Sequence, residues 1–265
     1  MLKQLWKVWQ NSRRVVLPFL SLSMMAALCV AAEPTKDAVY EMRTYYSPEG
    51  KLDALHARFR DHTTKLFEKH GMTNIGYFVP VENPDRKLIY WLAYPSKEAR
   101  DKSWAAFLND PDWKKAHKES EVNGPLVSKV ESQFMKTTDY SPAFKAGGDG
   151  KGVIELRVYT TTDGNLDRLH ARFRNHTTKL FEKHGMTNVL YWSLLPDQKD
   201  ADKTLVYLLS HKSVDAAKES FNAFRQDPDW VKARTESEKE AGGSLTVKDG
   251  VKSTFMKAVD YSPIK

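Results

Sequence analysis

The first recurring pattern is a two-residue alternation over residues 39–45, which is the period of a β-strand. Alternate side chains of a strand point to opposite faces, so two rows can be assigned. One row carries a carboxylate, a guanidinium and a phenol at Glu41, Arg43 and Tyr45. The same order returns at Glu155, Arg157 and Tyr159, opposite a row that is wholly apolar. The pattern predicts a strand in each place, with the apolar row covered by helices.

A three- and four-residue spacing of apolar positions follows and predicts an amphipathic helix over about residues 52–70. The stripe that would face the sheet consists of Leu52, Leu55, Phe59, His62 and Leu66. Gly71 stands where a helix commonly ends, because glycine tolerates the left-handed backbone of that position. The stripe returns in the second copy with His176 in the place of His62, so both histidines are predicted to lie on the apolar side.

Three further strands and a second helical region complete the order β-α-β-β-α-β. The strands are predicted at residues 74–79, 88–94 and 129–136. Asp110 before Pro111 has the form of a helix N-cap followed by the first helical residue, which predicts a short additional helix. This order is that of the ferredoxin-like module, a four-stranded antiparallel sheet with both helices on one face.

The whole order is present twice. Residues 55–74 return as residues 169–188 with one change, Asp61 becoming Asn175. The segments Asp-Pro-Asp-Trp and Asp-Tyr-Ser-Pro also return, in the same order and with only short insertions between the matched blocks. Recurrence of this kind indicates one module of about a hundred residues written twice.

The duplication predicts an α+β fold of two tandem ferredoxin-like repeats, 38–142 and 152–265, joined by a linker at 143–151 that is rich in glycine and lysine. Each sheet would leave one face open, and two such sheets can cover those faces by packing sheet to sheet as a barrel. In that arrangement the two Glu/Arg/Tyr rows are predicted to point inward.

Residues 1–32 differ from the remainder. A basic start precedes an uncharged apolar run at 15–32, and Val30 and Ala32 are small enough for the −3 and −1 positions of a signal peptidase site. The pattern predicts a bacterial-type signal peptide and an exported protein, periplasmic or secreted. A retained membrane anchor is the alternative, because the run is almost long enough to span a bilayer. Contact with a membrane is expected only through an uncleaved leader.

Loss of the leader would lower the formal net charge from +7 to about +3, since the leader carries four cationic residues and no acidic one. No run of lysine or arginine with interleaved aromatic residues follows, so nucleic acid is not predicted as a partner. Cys29 is the sole cysteine and would leave with the leader. The mature chain would then hold no disulfide, no thiol nucleophile and no thiolate metal site.

The histidines of the repeated helix do not form a metal-binding motif. His56 and His62 would be directed about 120° apart around a helix, and His62 and His70 would be separated by about two turns. No metal site is therefore predicted. His62 and His176 are interpreted either as core histidines with a hydrogen-bonding partner or as an axial ligand or base that faces a cavity.

The Glu/Arg/Tyr rows also have two interpretations. A buried carboxylate and guanidinium on one strand can neutralise each other as a structural ion pair. They can instead line a pocket in which arginine holds an anionic group and glutamate or tyrosine moves a proton. The candidate pocket residues are Glu41, Arg43, Tyr45, His62, Glu155, Arg157, Tyr159 and His176. Trp104, Trp113 and Trp230 are interpreted as packing residues. Arg58, Lys65 and Lys69 are interpreted as part of a solvated helix face.

These residues resemble the NIPSNAP family, within the dimeric α/β-barrel superfamily. The resemblance rests on the Glu-x-Arg-x-Tyr strand, the helix that ends in glycine, the Asp-Pro-Asp-Trp segment and the terminal Tyr-Ser-Pro, and it covers both repeats. It implies a barrel of two ferredoxin-like halves with a cavity at the centre or beside the helices. Related branches include haem-degrading monooxygenases, cofactor-free quinone-forming monooxygenases and haem enzymes, whereas NIPSNAP proteins themselves have no well-established reaction.

Two functional hypotheses follow. The first is an exported barrel that binds a small, largely apolar molecule or a protein partner without strong catalysis, and further oligomerisation is compatible with it. The second is a monooxygenase-type oxidoreductase, cofactor-free or haem-dependent, that uses the barrel cavity with His62 or His176 and the Glu/Arg/Tyr rows. No cofactor motif is evident. The sequence also lacks a glycine-rich phosphate loop and a Ser-His-Asp arrangement, which argues against nucleotide-binding and hydrolase functions.

Overall fold

The computed structural model describes residues 34–265. The predicted signal peptide, residues 1–32, lies outside the described residues together with Cys29, so the leader stays a prediction. Between residues 34 and 265, no helix is both long enough and apolar enough to cross a bilayer. In the same part of the chain, no three histidine or carboxylate side chains are grouped as metal ligands would be.

The first repeat contains four strands and a helical layer, and its strands begin and end close to the predicted residues. The elements are β1 (Val39–Tyr46), α1 (Leu52–Arg58), a π-helical turn (Phe59–Thr63), α2 (Thr64–Lys69), β2 (Thr73–Pro80), β3 (Lys87–Tyr94), α3 (Lys97–Asn109), α4 (Pro111–Ser120) and β4 (Lys129–Thr137). Asp110 caps α4 as predicted, since its carboxylate accepts a hydrogen bond from the backbone N–H of Asp112.

The second repeat has the same elements in the same order. They are β5 (Val153–Thr161), α5 (Leu166–Arg172), a π-helical turn (Phe173–Thr177), α6 (Thr178–Lys183), β6 (Thr187–Leu194), β7 (Thr204–His211), α7 (Val214–Gln226), α8 (Pro228–Glu240) and β8 (Thr246–Ala258). Asp227 caps α8 in the same way as its counterpart in the first repeat, by accepting from the backbone N–H of Asp229.

The eight strands form one closed antiparallel barrel in the order β1-β3-β2-β8-β5-β7-β6-β4. The two repeats meet at two seams, where β2 pairs with β8 and β4 pairs with β6. Each repeat alone would leave the edges of β2 and β4, or of β6 and β8, unpaired. Closure of the barrel gives the backbone groups of those edges partners, so the two repeats complete each other.

The barrel interior is filled by apolar side chains from both repeats. Trp91 and Trp192 stack there with ring centroids 5.8 Å apart and planes 11° from parallel. Tyr40 contacts the same stack edge-on, with its ring centroid 5.7 Å from that of Trp192. Other members of this interior cluster include Phe78, Ile89, Met135, Ile154, Leu156, Val206, Leu208 and Met256.

The prediction that the Glu/Arg/Tyr rows point into the barrel is wrong. Tyr40 and Met42 belong to the interior cluster, so Glu41 and Arg43 lie on the opposite face of β1 and point outward to the helices. The apolar row, expected beneath the helices, fills the barrel instead. An apolar interior offers ionised side chains no hydrogen-bonding partners, whereas the helix layer supplies them.

An aromatic layer fills the space between the outer face of each sheet and its helices. In each repeat two strand tyrosines stack on each other, Tyr77 on Tyr90 at 5.2 Å and Tyr191 on Tyr207 at 5.0 Å between centroids. Helix side chains pack over them: Leu55, Phe59, Phe67 and Phe107 in the first repeat, and Leu169, Phe173, Phe181 and Phe224 in the second.

A π-helical turn in the middle of the repeated helix corrects the placement of the histidines. The backbone N–H of Thr64 donates to the carbonyl of Phe59, five residues back, so this turn holds one residue more than an α-helical turn. The residue that follows Phe59 on the buried side is therefore Thr63, and His62 is exposed. His176 is exposed for the same reason, so neither histidine is a core residue.

The Asp-Tyr-Ser-Pro segments, residues 139–142 and 260–263, cross from one repeat to the other, and we call them the cross-repeat segments. Asp260 and Tyr261 of the second repeat meet the repeated helix of the first: the two carboxylate oxygens accept from Arg60 at 2.5 and 2.9 Å, and the phenol lies 2.8 Å from His56 Nδ1. In the same way, Asp139 and Tyr140 of the first repeat form hydrogen bonds with Arg174 and His170 of the second. The motif that occurs twice in the sequence therefore makes equivalent contacts in both directions between the repeats.

Tyr261→Phe is expected to lower the free energy of unfolding by about 1 kcal/mol, the usual net contribution of a hydrogen bond, because it removes the hydroxyl that meets His56 across the two repeats. Urea denaturation measures the difference. Tyr46→Phe is the control, since it removes a hydroxyl that donates to Glu131 at the surface, and it should change the same quantity by less than about 0.5 kcal/mol. Equal losses in the two variants would contradict a stabilising role of the cross-repeat contact.

Candidate functional site

Glu41 is the centre of the polar cluster on the outer face of the first sheet. Its side chain is fully buried and accepts hydrogen bonds from two guanidinium groups, from Arg43 at 2.5 Å and from Arg100 of α3 at 2.9 and 3.0 Å. The hydroxyls of Ser132 and Tyr94 donate to it as well, at 2.7 and 2.9 Å. The carboxylate is therefore fully satisfied by strand and helix donors.

The surroundings of Glu41 keep it ionised. Burial on its own would raise the pKa of this carboxyl, but the hydrogen bonds from Arg100, the charge of Arg43 and the hydrogen bond from Ser132 outweigh that effect and lower the pKa to about 2. Such a group carries no proton at neutral pH and accepts one poorly. The geometry therefore supports the structural interpretation of Glu41 and argues against a role in proton transfer.

Arg43 connects this buried cluster to the space beneath the helices. Its Nε donates to the Tyr90 hydroxyl at 3.0 Å, and its Nη2 lies 3.5 Å from the Tyr45 hydroxyl. The guanidinium also lies over the ring of Trp104, 4.3 Å from the centroid, as in a cation–π contact. Three predicted candidates of the first repeat, Glu41, Arg43 and Tyr45, are thus brought together.

The second repeat contains the same row with different partners. Glu155 accepts from Arg157 and Ser253, both at 2.5 Å, and from His211 Nε2 at 2.9 Å. Arg157 in turn donates to the hydroxyls of Tyr159 at 3.1 Å and Tyr207 at 2.9 Å. These donors also lower the pKa of the Glu155 carboxyl, against the opposing effect of burial.

The two clusters differ in their balance of charge. The position of Arg100 is occupied by Ala217 in the second repeat, and that of Trp104 by Phe221. One carboxylate therefore faces two guanidinium groups in the first repeat and one in the second. Arg100 also contacts the exposed carboxylate of Asp101, which lies on the solvent side.

A pocket of about 530 Å³ lies in the first repeat, between the outer face of the sheet and the helices. Its walls are largely aromatic and aliphatic, and basic groups stand among them. The aromatic and aliphatic residues are Tyr45, Phe59, Phe67, Trp104, Phe107, Leu108, Trp113, Val127 and Val130, and the charged or titratable ones are Arg43, Arg58, Arg100, His117 and Glu121. The cavity thus lies beside the helices, which is one of the two places that the family resemblance implied.

Arg58 corrects a second expectation, because it is buried and does not belong to the solvated helix face. Only 4% of its side chain is exposed. Its Nη1 donates to Glu121 at 2.8 Å and to Ser120 at 3.3 Å, and the guanidinium lies 5.3 Å from the centroid of the Trp113 ring. Within residues 34–265 the buried Nε of Arg58 has no hydrogen-bonding partner.

The structure does not bring His62 or His176 to either Glu/Arg/Tyr row. His176 lies at the outer surface of the second repeat, beside Lys179 and Asp229. His117 is the histidine that lines the pocket of the first repeat, with its Nε2 3.4 Å from a carboxylate oxygen of Glu121. The interior cluster of the barrel contains no histidine among the described residues, so His62 and His176 are not placed to ligate a haem there.

The sequence analysis did not single out Arg100 and His117, although a comparison of the two repeats would have done so. Arg100 and His117 align with Ala217 and Arg234, so they mark the positions where the first repeat has its own chemistry. The burial of Arg58 had no such signal, because both repeats carry arginine there. Arg58 follows buried Leu55 by three residues and shares its face, but an arginine is rarely buried without a partner, and its partner Glu121 is distant in sequence.

The fold and this site define a class: an eight-stranded α/β-barrel of two repeats, with an aromatic pocket between sheet and helices. The NIPSNAP family model matches residues 40–142 and 154–263, so the chain belongs to the NIPSNAP family. No curated protein was found to match the chain.

Several solved structures are similar to this one. A provisionally assigned monooxygenase from Lactobacillus acidophilus is 9% identical, with a TM-score of 0.54 over 84% of this chain and 94% of that chain. Another from Fusobacterium nucleatum is 10% identical, with a TM-score of 0.52 over 86% and 98%. A NIPSNAP family protein of unknown function from Agrobacterium tumefaciens is 23% identical, with a TM-score of 0.37 over 42% and 99%. The first two show a shared fold alone.

Arg100→Ala is expected to lower the free energy of unfolding by about 2 kcal/mol at pH 7, within the range for hydrogen bonds to a charged group. The pKa of Glu41 is lower in the folded protein than in the unfolded chain, so the pairing stabilises the fold above the unfolded pKa of about 4.3 and is lost as the pH falls towards 2. The difference between wild type and variant should shrink over that range. Denaturant titrations at pH 7, 4 and 3 measure it, and a difference independent of pH would contradict this account.

Proposed function

We propose that this protein binds a small, largely apolar molecule in the pocket of its first repeat. The observation that carries the proposal is the cavity of about 530 Å³ with walls formed by Trp104, Phe107 and Trp113. Ligand sites in proteins are commonly concave, mostly apolar and furnished with a few polar groups that orient the ligand. The pocket has this composition, whereas the barrel interior is filled by its own side chains.

Divergence between the repeats supports the same proposal. We infer that each repeat is a ferredoxin-like unit, so equivalent positions can be compared directly. Leu108 at the pocket aligns with Arg225, and His117 aligns with Arg234. A charged residue in place of Leu108 makes the corresponding wall less apolar, so we assign binding to the first repeat and a supporting role to the second.

Oxidoreductase activity of the monooxygenase type is the second candidate. The fold shared with provisionally assigned monooxygenases is compatible with it, and the specific observation in its favour is His117 beside Glu121 in the pocket wall. An imidazole can accept a proton from a phenolic substrate near neutral pH. This candidate would be cofactor-free, because the two histidines considered as haem ligands, His62 and His176, are exposed on the helix surface.

Val130→Trp is expected to weaken binding of N-phenyl-1-naphthylamine, a neutral apolar fluorophore, by about tenfold or more, equivalent to about 1.4 kcal/mol. Val130 lines the pocket and is 44% exposed, so a larger side chain can occupy the pocket without overpacking the core. The fluorescence increase of the probe on titration with protein gives the dissociation constant.

Val251→Trp is the matched control for that experiment. Val251 is 41% exposed and stands opposite Tyr159 as Val130 stands opposite Tyr45, so the same substitution is made in the repeat without the assigned site. Equal effects of the two variants, or no binding by the wild type, would refute the proposal. Oxygen uptake with an electron-rich phenol, measured in parallel and lost in His117→Asn, would favour the second candidate.

We also propose that the protein acts after export, on the basis of the pattern in residues 1–32. Cleavage after Ala32 would leave a mature chain that begins at Glu33. Intact mass spectrometry of protein recovered from the periplasm or medium of a bacterial host is expected to give that mass. Recovery of the full-length chain from the membrane fraction would instead support the retained anchor.

A further inference from the structure

We infer that the ligand of this pocket is an amphipathic carboxylic acid, whose carboxylate is held by Arg58 and whose apolar body lies along Trp104, Phe107 and Trp113. This inference rests on the proposed function and adds the chemical class of the ligand. The apolar wall is continuous, because the ring of Phe107 lies 5.6 Å from that of Trp104 and 4.4 Å from that of Trp113.

Arg58 offers an unused edge of its guanidinium. Nη1 is engaged by Glu121 and Ser120, whereas Nε is buried and has no hydrogen-bonding partner between residues 34 and 265, and the bonds to Glu121 and Ser120 do not use Nη2. These two groups form one side of the planar fork, with parallel N–H bonds that match the two oxygens of a carboxylate. A buried donor without an acceptor is costly and uncommon in folded proteins, so this edge indicates a missing acceptor.

The charges at the pocket favour an anion over a neutral ligand. Arg43, Arg58 and Arg100 line it, and Glu121 is the carboxylate among the lining residues. One oxygen of Glu121 serves several donors: it accepts from Arg58 Nη1 at 2.8 Å and from the backbone N–H of Leu126 at 3.3 Å, and it lies 3.4 Å from His117. Glu41 and Glu121 together give two carboxylates against the three guanidinium groups of Arg43, Arg58 and Arg100, so an incoming carboxylate would balance the remaining positive charge.

Arg172 of the second repeat shows that a guanidinium edge without an acceptor does not by itself define an anion-binding site. Its Nε is also buried without a partner among the described residues, and its Nη1 lies 3.8 Å from Glu238. The small surface pocket beside Arg172 is lined by Glu236 and Glu240 as well as by Arg168, so carboxylates balance the guanidinium groups there. Its lining also lacks the tryptophan and phenylalanine side chains that line the pocket of Arg58. Arg172 is therefore a matched control: a buried arginine at the equivalent position of α5, without the anion site.

The test compares two ligands with the same apolar body, 2-naphthoate and 2-naphthylmethanol, in their ability to displace N-phenyl-1-naphthylamine from the wild-type protein at pH 7. The acid is expected to bind at least about tenfold more tightly, because the carboxylate gains charge-assisted hydrogen bonds. Arg58→Lys keeps the charge that pairs with Glu121 but removes the planar fork. It should reduce the ratio of acid to alcohol affinity, with both measured on the same variant, by about tenfold, whereas Arg172→Lys should leave that ratio and the affinity for the probe unchanged.

The outcomes separate the inference from the proposed function. A probe that binds in a manner sensitive to Val130→Trp, with no preference for the acid, would refute the carboxylate inference and leave the pocket proposal intact. A preference that survives Arg58→Lys would also refute it, since the anion would then be held elsewhere. Failure of the probe itself to bind would refute the proposed function, and thermal unfolding of the two lysine variants confirms that both are folded.

Discussion

A buried carboxylate on the outer face of each sheet is the constraint on which much of this structure depends. Glu41 and Glu155 are almost completely inaccessible, and an ionised group in that setting is tolerated only when donors surround it. The first repeat supplies Arg100 from α3, which ties that helix to the sheet. The second supplies His211 from β7, so its helix α7 carries no such tie. The way in which the charge is satisfied therefore differs between two otherwise equivalent helix layers.

The duplication allows the two helix layers to differ, which the proposal of a site in the first repeat requires. Barrel closure needs both repeats, because β2–β8 and β4–β6 are the seams, and the cross-repeat segments add contacts between the repeats. Helices α3 and α7 take no part in the seams, and their sequences differ between the repeats. Substitutions such as Arg100 against Ala217, and Leu108 against Arg225, change the pocket without disturbing the seams. One repeat can then specialise in binding while the other maintains the barrel.

The sequence was sufficient for the order of elements, the repeat and the family, since strand alternation and helix periodicity are local signals. It also predicted that Glu41, Arg43 and Tyr45 lie together, because residues two apart share one face of a strand. It could not assign that face to the barrel or to the helices, because the choice depends on partners distant in sequence, such as Arg100 and Tyr94. It misplaced His62 because the π-helical turn leaves no periodic trace in residues 59–63. It misplaced Arg58 because the partner of this arginine, Glu121, is distant in sequence. The linkage of the two repeats through their Asp-Tyr-Ser-Pro segments is likewise a contact between distant parts of the chain.

The second repeat contributes to the pocket although it does not line it. Tyr261 stacks on Phe59 with ring centroids 6.3 Å apart and meets His56 on the same helix. Phe59 forms part of the pocket wall and directly follows Arg58. The position of the helix that carries the free guanidinium edge is thus fixed from one side by the first sheet and from the other by a segment of the second repeat. A carboxylate held there would be bound by a surface that neither repeat could position alone.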